Sequence, residues 1–455
     1  MISKTPLVFL IVDRIYPKTL RHLEKIRRCL PGAGKIVLAH VRGFPKGLPV
    51  STVRGDVDDV VEGGVAAIAA RIRKTQSRGA SRCDVVALNQ SGVMPREAVR
   101  SLLGEPVRTW ALDSCDKRRM RARLAYEPDL RMQYRVVVPG AAKNTTSRLR
   151  GSSFIVKPAF GMSSRFVRTF DNWSETIDYA RSQENVEKWL PDDIMSALGY
   201  RRNDSHARLI EPCVSGVEFS VDGWIIGKTI RAIVQHKLCL VRRQFIGDGP
   251  TVSPPARQVL RSSGWSAMRT SEMRCRQFVR RVLRSMNCQR GVFHIECRES
   301  SENKLCIIEI NPRAPGGSLW RSAMFRMGID LEERDVQLQM GRGKLSIGEP
   351  DARHVLHYPF YADRPGRLKS WGDLSGSARL SIGECTIDYA VSLDHEFSIK
   401  DMVEEPYLAF VTAKSPSSIS NLQKCKTITA AIPPVILQES KQCQAVGETS
   451  GSHPT

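Results

Sequence analysis

The stretch GVFHIECRESSENKLCIIEINPRAPGG, residues 291–317, constrains the fold of this chain more than any other. Residues 292–297 and 305–310 alternate in a way that predicts two β-strands, and the polar segment 299–304 predicts the turn of a hairpin. Alternation gives each strand two faces. The first strand carries Phe293, Ile295 and Cys297 on one face, and His294 and Glu296 on the other. On the second strand Cys306, Ile308 and Ile310 share one face, and Ile307, Glu309 and Asn311 share the other.

The hairpin is expected to bring two carboxylates together. If it closes between Glu302 and Asn303, Glu296 lies directly opposite Glu309, and cross-strand partners have Cβ atoms about 4.5–5.5 Å apart. Carboxylates this close repel each other unless a cation lies between them. A surface hairpin with its acidic face in water is the alternative, but the apolar run CIIEI followed by NPR argues against it. We therefore predict a metal site.

Two further residues extend this predicted site. Asn311 offers a neutral oxygen on the face of Glu309, and ligation by oxygen alone suits magnesium bound together with phosphates. Arg313 follows just past the strand end, where its guanidinium can bind an anion through two parallel hydrogen bonds. The pattern thus indicates a cation and an anion held side by side.

The composition is that of a soluble globular protein. A length of 455 residues corresponds to about three domains. No run of 18 or more apolar residues occurs, so no membrane span is expected. The apolar residues 7–12 are followed by Asp13 and Arg14 and predict a first buried strand, not a signal peptide. The 12 cysteines contain no C-x-x-C pair, which predicts reduced thiols and a cytoplasmic protein.

The charge balance raises the question of nucleic acid. A formal net charge of +22 favours at least non-specific association with polyanions. However, the arginines are spread along the whole chain, and no recognised nucleic-acid-binding motif is present. The densest basic segment, residues 271–287, has an apolar stripe and predicts a helix that packs on a sheet with a solvated basic face. We do not expect nucleic acid to be a functional partner.

The first hundred residues predict an αβ domain. Apolar runs at 7–12, 35–41 and 84–89 alternate with helical segments at 20–29 and 95–103. Such alternation predicts a parallel sheet covered by helices on both faces. The segment PGAGK resembles a phosphate-binding loop but lacks its first glycine and its Ser or Thr.

Weaker signals follow along the chain. Residues 113–125 predict a basic helix with Asp116 and Lys117 near its start. A short strand ending at Lys157 precedes a Gly/Ser-rich turn, a plausible but unspecific phosphate clamp. From residue 328 the pattern changes to short strands broken by Pro and Gly, and residues 438–455 are polar and lack periodicity.

Taken in order, these motifs resemble the ATP-grasp superfamily, and within it the carboxylate–amine ligases that make dipeptides and related amides. The hairpin H-I-E…I-I-E-I-N-P-R is the most specific part, and it is preceded by D-K, by V-K-P before the Gly/Ser loop, and by E-P-x-V-x-G-x-E. The resemblance implies an α/β chain with the ATP-grasp fold. Its expected parts are an N-terminal Rossmann-like αβ domain (1–108), a nucleotide-binding and catalytic region (109–327), a C-terminal lid domain (328–434) and a disordered tail (435–455).

The resemblance also implies a role for each matching residue. Lys117 and Lys157 would hold the phosphates and the adenine side of ATP, Glu211 and the backbone up to Val214 would contact adenine, and Glu218 the ribose. Glu296, Glu309 and Asn311 would bind magnesium, or manganese in its place. Arg313 would stabilise the transferring phosphoryl group. Gly316 and Gly317 would let the backbone approach the acyl substrate.

The implied activity is ATP-dependent joining of a small-molecule carboxylate, such as an amino acid, to an amine. The loop GMSSRF departs from the family pattern, because Ser163 and Phe166 stand where glycine is common. This departure leaves open a non-catalytic ATP-binding module as the alternative. The residue that orients the amine is not assigned, although Asp248 is a candidate. The sequence neither requires nor excludes a homodimer.

Overall fold

The computed structural model describes most of the chain before residue 342 and shorter segments after it. The described residues are 6–13, 17–30, 34–41, 50–78, 83–140, 147–161, 166–182, 190–241, 257–262, 271–317, 319–342, 348–350, 354–361, 366–370, 385–389, 391, 394–397, 407–415 and 437–438. The chain forms two compact units. Unit 1 comprises Met1–Gln235, Ser266–Gly316 and Met327–Glu349, and unit 2 comprises His236–Trp265, Gly317–Arg326 and Pro350–Thr455.

Helices and strands alternate along the first half of the chain. The described α-helices are α1 (Pro17–Cys29), α2 (Val65–Ser77), α3 (Gln90–Leu103), α4 (Thr109–Cys115), α5 (Lys117–Leu124), α6 (Trp173–Arg181), α7 (Asp192–Ala197), α8 (Glu272–Ser285), α9 (Leu319–Met327) and α10 (Leu331–Gln339). Short 3₁₀ turns cover Val50–Val53 and Arg202–His206. None of the described helices contains a stretch long and apolar enough to cross a membrane.

The described strands form four sheets. They are β1 (Leu7–Val12), β2 (Lys35–Val41), β3 (Asp59–Gly63), β4 (Cys83–Val86), β5 (Arg135–Val137), β6 (Phe154–Pro158), β7 (Arg168–Phe170), β8 (Arg208–Pro212), β9 (Val217–Ile226), β10 (Thr229–Val241), β11 (Arg257–Ser262), β12 (Arg290–Glu299), β13 (Leu305–Asn311), β14 (His354–Tyr361), β15 (Gly366–Leu368), β16 (Cys385–Tyr389), β17 (Glu396–Phe397), β18 (Tyr407–Ser415) and β19 (Leu437–Gln438).

The N-terminal sheet confirms the prediction of a parallel sheet covered on both faces. Its strands lie in the order β3-β2-β1-β4, and all the pairs are parallel. Strand β1 is apolar on both sides because each side faces a separate core. Phe9 and Ile11 pack into one cluster, whereas Val8 and Leu10 pack into the other.

Helix α1 begins at Pro17, three residues before the predicted start at 20. Two further differences are each explained by a side-chain cap. Helix α3 begins at Gln90, not at Pro95, because the side chain of Asn89 accepts a hydrogen bond from the backbone N–H of Gly92 at 3.0 Å. The predicted single helix 113–125 is two helices, α4 and α5. Asp116 separates them and caps α5 by accepting from the N–H of Arg118 at 3.0 Å.

The remainder of unit 1 supports the hairpin. Strands β13-β12-β9-β10 lie side by side, and β5-β8-β6-β7 form a second antiparallel sheet. Helix α8 confirms the predicted amphipathic pattern: Cys275, Phe278, Val279, Val282 and Met286 are buried, whereas Arg274, Arg276, Arg280, Arg281 and Arg284 are exposed. The apolar stripe joins the same core as Phe293, Ile295 and Cys297 of β12. The basic face of this helix is therefore solvated, as predicted.

Unit 2 is built from short strands, as the sequence predicts for the region after residue 328. Strands β11-β14-β18-β16 form an antiparallel array, and β15 pairs with both β17 and β19. Within this unit Arg321 makes two hydrogen bonds of 2.7 Å to Asp388. Residues 437–438 of the predicted tail form β19, and the rest of that tail lies outside the described residues.

Two glycines in the left-handed region, one crowded and one open, allow a test of the packing around Gly328, just before α10. Gly328 and Gly104 have positive φ values of +63° and +75°. A β-carbon on Gly328 would lie 2.0 Å from the carbonyl oxygen of Gly348, whereas one on Gly104 would meet no atom of the described residues within 4 Å. We expect Gly104→Ala to lower the free energy of unfolding by about 1 kcal/mol and Gly328→Ala by at least about 2 kcal/mol. Urea unfolding measures both losses, and equal losses would contradict the packing described.

Candidate functional site

The hairpin of β12 and β13 has the predicted register at its acidic end. Glu296 is the cross-strand partner of Glu309, and His294 is the partner of Asn311. Glu296 and Glu309 keep 24% and 19% of their side chains exposed, whereas Asn311 is buried. The prediction that two carboxylates face each other is confirmed.

A β-bulge corrects the predicted faces of β13. The register shifts between Glu296 and Cys297, so that Cys297 lies opposite Ile307 and Ile308 has no partner on β12. Ile307 consequently joins the hydrophobic core, and the prediction that it shares a face with Glu309 is wrong. Simple alternation fails here because a bulge inserts one extra residue and reverses the faces beyond it.

The donor set fits magnesium. Within the described residues, no group of three or more His, Cys, Asp or Glu side chains is arranged to hold a metal ion. Magnesium, however, is commonly held by one or two carboxylates together with water and substrate phosphates. Glu296 and Glu309, with the amide oxygen of Asn311, provide such a set, and both carboxylates are partly open to solvent.

A buried polar network stands behind Glu296. His294 contacts Asp222 through Nδ1 and Glu296 Oε1 through Nε2, the latter at 3.1 Å. Asp222 also accepts hydrogen bonds from Ser220, at 2.8 Å, and from Gln235. Burial disfavours the charged imidazole, but Asp222 and Glu296 outweigh it and raise the pKa of His294 to about 9. His294 is therefore protonated at neutral pH and donates from both ring nitrogens.

Lys117 lies beside the acidic pair. Its ammonium is 3.3 Å from Glu309 Oε1 and donates to the carbonyl oxygen of Gly161 at 3.1 Å. Asp116 fixes the start of α5 and thereby places Lys117 at the helix N-terminus. The structure thus brings Lys117 to the hairpin, although the two are separated by 192 positions in the sequence.

Glu211 and Lys157 are joined by a residue that sequence reasoning missed. Glu211 Oε2 lies 2.7 Å from Lys157 Nζ and 3.2 Å from Arg121 Nη2. Burial opposes ionisation of Glu211, but Arg121 and Lys157 together lower its pKa to about 2. Burial likewise lowers the pKa of Lys157, and Glu211 opposes this shift. Arg121 lies four residues after Lys117, so helical spacing could have flagged it.

The same two cations bind the edge of the hairpin. Arg121 Nη2 donates to the carbonyl oxygen of Ile307 at 2.8 Å, and Lys157 Nζ donates to that of Ile308 at 3.3 Å. These carbonyls lie at the bulge, on the outermost strand of the described sheet. An unpaired strand edge is unfavourable when buried, so this contact stabilises the hairpin and orients both cations.

Arg313 and Gly316 follow the end of β13 in the chain. Arg313 Nε donates to Gln90 Oε1 at 3.2 Å, and Nη1 donates to the carbonyl oxygen of Ala314 at 2.6 Å. Burial lowers the pKa of Arg313, while Glu309 and Glu296 oppose that shift. Among the described residues, Arg313 Nη1 at 4.0 Å is the one neighbour that a β-carbon on Gly316 would meet.

The other predicted site residues belong to unit 2, contact Arg298, or lie outside the described residues. Gly317 belongs to unit 2, where it has φ +60° and packs against the Phe410 ring. Residues 162–165 of the Gly/Ser loop and Asp248 lie outside the described residues. Glu218 and the carbonyl oxygen of Val214 both contact Arg298, a residue that sequence reasoning also missed.

These features define the class of protein. An N-terminal parallel sheet, a lysine-bearing antiparallel sheet and a hairpin with facing carboxylates make up the ATP-grasp fold. Residues 151–321 match the model of the ATP-grasp domain family, which confirms the predicted resemblance to the ATP-grasp superfamily over this segment. No curated protein sequence matches the chain.

Solved structures share this fold across almost the whole chain. The L-amino acid ligase from Bacillus licheniformis has a TM-score of 0.70 and 14% identity, covering 96% of this chain and 100% of that one. N5-carboxyaminoimidazole ribonucleotide synthetase from Thermotoga maritima has a TM-score of 0.61 and 13% identity, with 94% and 99% covered. Biotin carboxylase from Campylobacter jejuni has a TM-score of 0.59 and 13% identity, with 94% and 91% covered.

The network behind Glu296 can be tested through metal affinity. Asp222→Asn keeps the shape of the side chain but removes the charge that holds His294. We expect manganese, in the presence of ATP, to bind about 10- to 100-fold more weakly, because residues that orient ligands have effects of this size. Electron paramagnetic resonance measures free manganese directly. Asp59→Asn, which breaks only a surface pair with Arg71, is the control. Unchanged affinity in Asp222→Asn would contradict the role of the network.

The pairing of Glu211 predicts a specific acid sensitivity. Its pKa is about 2 in the folded protein, below the ordinary 4.5, so the carboxylate stabilises the fold above about pH 4.5 and loses this effect as pH falls towards 2. Between pH 6 and pH 3, wild type should lose about 2 kcal/mol more unfolding free energy than Glu211→Gln. Urea unfolding at several pH values tests this, and parallel curves would refute it.

Proposed function

We propose that this chain is an ATP-dependent ligase that activates a carboxylate as an acyl phosphate and joins it to an amine, releasing ADP and phosphate. The observation that carries the proposal is the direct pairing of Glu296 with Glu309 on a hairpin that ends at Asn311, two residues before Arg313. Lys117, 3.3 Å from Glu309, adds a second cation to this group. Two acids and two fixed cations suit a phosphoryl group that is transferred together with its metal.

The chemistry needs charge neutralisation more than it needs a protein nucleophile. A carboxylate is a poor electrophile because its leaving group would be an oxide or hydroxide. Bound ATP with magnesium would supply the phosphoryl group that turns this oxygen into a good leaving group. The task of the protein is then to position the reacting groups and to balance the negative charge that develops.

The roles proposed for the side chains are those that the sequence resemblance implies. Glu296, Glu309 and Asn311 would hold the metal, and Lys117 and Lys157 would hold the phosphates and the adenine side. Glu211 and the backbone up to Val214 would contact adenine. Arg313 is partly buried, with Gln90 orienting its Nε, so its planar guanidinium is set in advance for an oxyanion. Gly316 would leave the backbone open to the acyl substrate, a role that the sequence also predicts for Gly317.

The substrate class is proposed as an amino acid or a similar small acid. The overall similarity to an L-amino acid ligase supports this choice. A cytoplasmic location and a homodimer stay predictions from the sequence.

Replacing Glu309 with Gln tests the site. The variant removes one charge from the pair and should lower magnesium-dependent ADP release, measured with pairs of amino acids, by at least about 1,000-fold. Glu302→Gln, on the exposed turn of the same hairpin, should retain wild-type turnover. Normal activity in Glu309→Gln would remove the metal assignment.

A substrate screen tests the reaction itself. Wild-type protein is incubated with ATP, magnesium and panels of carboxylates and amines, and the products are identified by mass. An amide product accompanied by ADP and phosphate supports the proposal. Tight ATP binding without turnover across a broad panel would contradict it and would favour the non-catalytic ATP-binding module.

A further inference from the structure

Arg334 of α10 is a buried guanidinium without an acceptor. The residue is 2% exposed, and its Nε and Nη1 are buried without a hydrogen-bond partner in the described part of the chain. Arg96 and Arg121 are equally buried, and each is paired with a carboxylate, that of Glu97 or Glu211. A buried charge is costly unless it is paired. Arg334 has no such carboxylate among the described residues.

The guanidinium of Arg334 keeps its charge in this environment. Burial lowers the pKa of Arg334 to about 10, and Glu333 opposes this shift, so the group is protonated at neutral pH. Its Cζ lies 4.8 Å from the centre of the Trp224 ring, a contact that favours a cation. An aromatic face, however, accepts no hydrogen bond of ordinary strength. The contact with Trp224 therefore leaves the two buried donors of Arg334 unsatisfied.

Further donors without acceptors lie on the same face of the sheet. The indole Nε1 of Trp224 is buried and has no partner within the described residues. Trp224 pairs with Val292 across β9 and β12, and Arg290 precedes Val292 by two residues. Arg290 is thus diagonally opposite Trp224, within reach of a long side chain. Its Nη2 donates to the carbonyl oxygen of Arg342 at 2.8 Å, whereas its Nε is buried without a partner there.

The nearest carboxylate along the helix does not neutralise Arg334. Asp335 is the next residue of α10, but consecutive helical residues do not face each other. The polar neighbours that affect Asp335 are Gln339, Arg96 and Arg313. Guanidinium and indole groups offer N–H donors and no acceptors. The region around Arg334 is therefore rich in donors and positive charge, and an anion would satisfy both.

We propose that Arg334 and Trp224 form an anion site between α10 and β9, in which Arg334 Nε and Nη1 and Trp224 Nε1 donate to a small anion of the size of chloride. A single-atom anion is satisfied by donors alone and needs little room. A larger anion would require an opening, and Trp224 is 5% exposed. Two residues along the same strands lie Asp222 and His294, so the anion fixes α10 beside the network behind Glu296.

This inference is independent of the proposed function, because none of its donors is assigned to ATP or to a substrate. Failure to form an amide would therefore leave the anion site standing, and absence of chloride binding would leave the ligase proposal standing.

Thermal unfolding in different salts tests the site. Wild type, Arg334→Met and Trp224→Phe are heated in sodium chloride and in sodium gluconate of equal ionic strength, since gluconate is too large for a buried site. Between about 1 mM and about 200 mM chloride, the midpoint of wild type should rise by about 2 °C more than in gluconate, because a ligand that binds the folded state stabilises it. Arg334→Met should lose this difference. Trp224→Phe keeps a ring and removes the N–H, so it should need about tenfold more chloride.

The matched control is Arg280→Met, which removes the same charge from the exposed face of α8. This variant should keep the wild-type response to chloride, which excludes net charge as its cause. Chloride NMR of the folded proteins gives a second measurement, because bound chloride has a broadened signal. Arg334→Met should broaden it less than Arg280→Met does.

Two results would overturn the inference. One is a wild type whose midpoint rises equally in chloride and gluconate, in which case the buried donors contact water only. The other is an Arg334→Met variant with the wild-type chloride response. If Arg334→Met does not fold, Trp224→Phe decides, and an unchanged chloride dependence in that variant counts against the site.

Discussion

The site depends on two like charges that an antiparallel register holds face to face. Glu296 and Glu309 are direct cross-strand partners, and such a pair is unfavourable in isolation. The surrounding residues compensate with positive charge: Lys117 contacts Glu309, and protonated His294 donates to Glu296. The hairpin is therefore a concentrated acidic site within a chain of net charge +22. The repulsion between the two carboxylates also favours binding of a divalent cation between them.

A second set of buried charges ties the hairpin to the sheet that carries Lys157. Glu211 is shared by Lys157 and Arg121, and both cations continue to carbonyl oxygens at the bulge of β13. Burying charges is costly unless each one is paired. Here each cation pairs with the carboxylate of Glu211 and also donates to a backbone carbonyl oxygen on the edge of β13. The relative position of two sheets within unit 1 thus depends on the same groups that lie next to the proposed phosphates.

Local pattern was enough to predict much of the fold and one part of the site. The strands of the hairpin, the apolar stripe of α8 and the parallel N-terminal sheet all follow from periodicity, because that periodicity reflects which side of an element is buried. The bulge at Ile308 was not predictable in this way. A bulge leaves no mark in the amino-acid composition of a strand. Here contacts from outside the strand stabilise it, because Arg121 and Lys157 both donate to the carbonyl oxygen of Ile308.

The distinction between these two kinds of information is physical. The order of charges along 291–317 was sufficient to predict an acidic pair followed by an arginine. The turn, however, is centred on Glu302 and not between Glu302 and Asn303, so the register it sets would place Glu296 opposite Ile308. The bulge shifts the register by one residue and brings Glu296 opposite Glu309. The partners of that pair come from distant parts of the chain. Only packing creates the contacts made by Lys117, Arg121, Asp222 and Arg298. No short-range rule relates an arginine on a helix to a carbonyl on a strand edge. The two strands and the turn of the hairpin are thus local properties of the sequence, whereas its bulge and its electrostatic surroundings are properties of the tertiary structure.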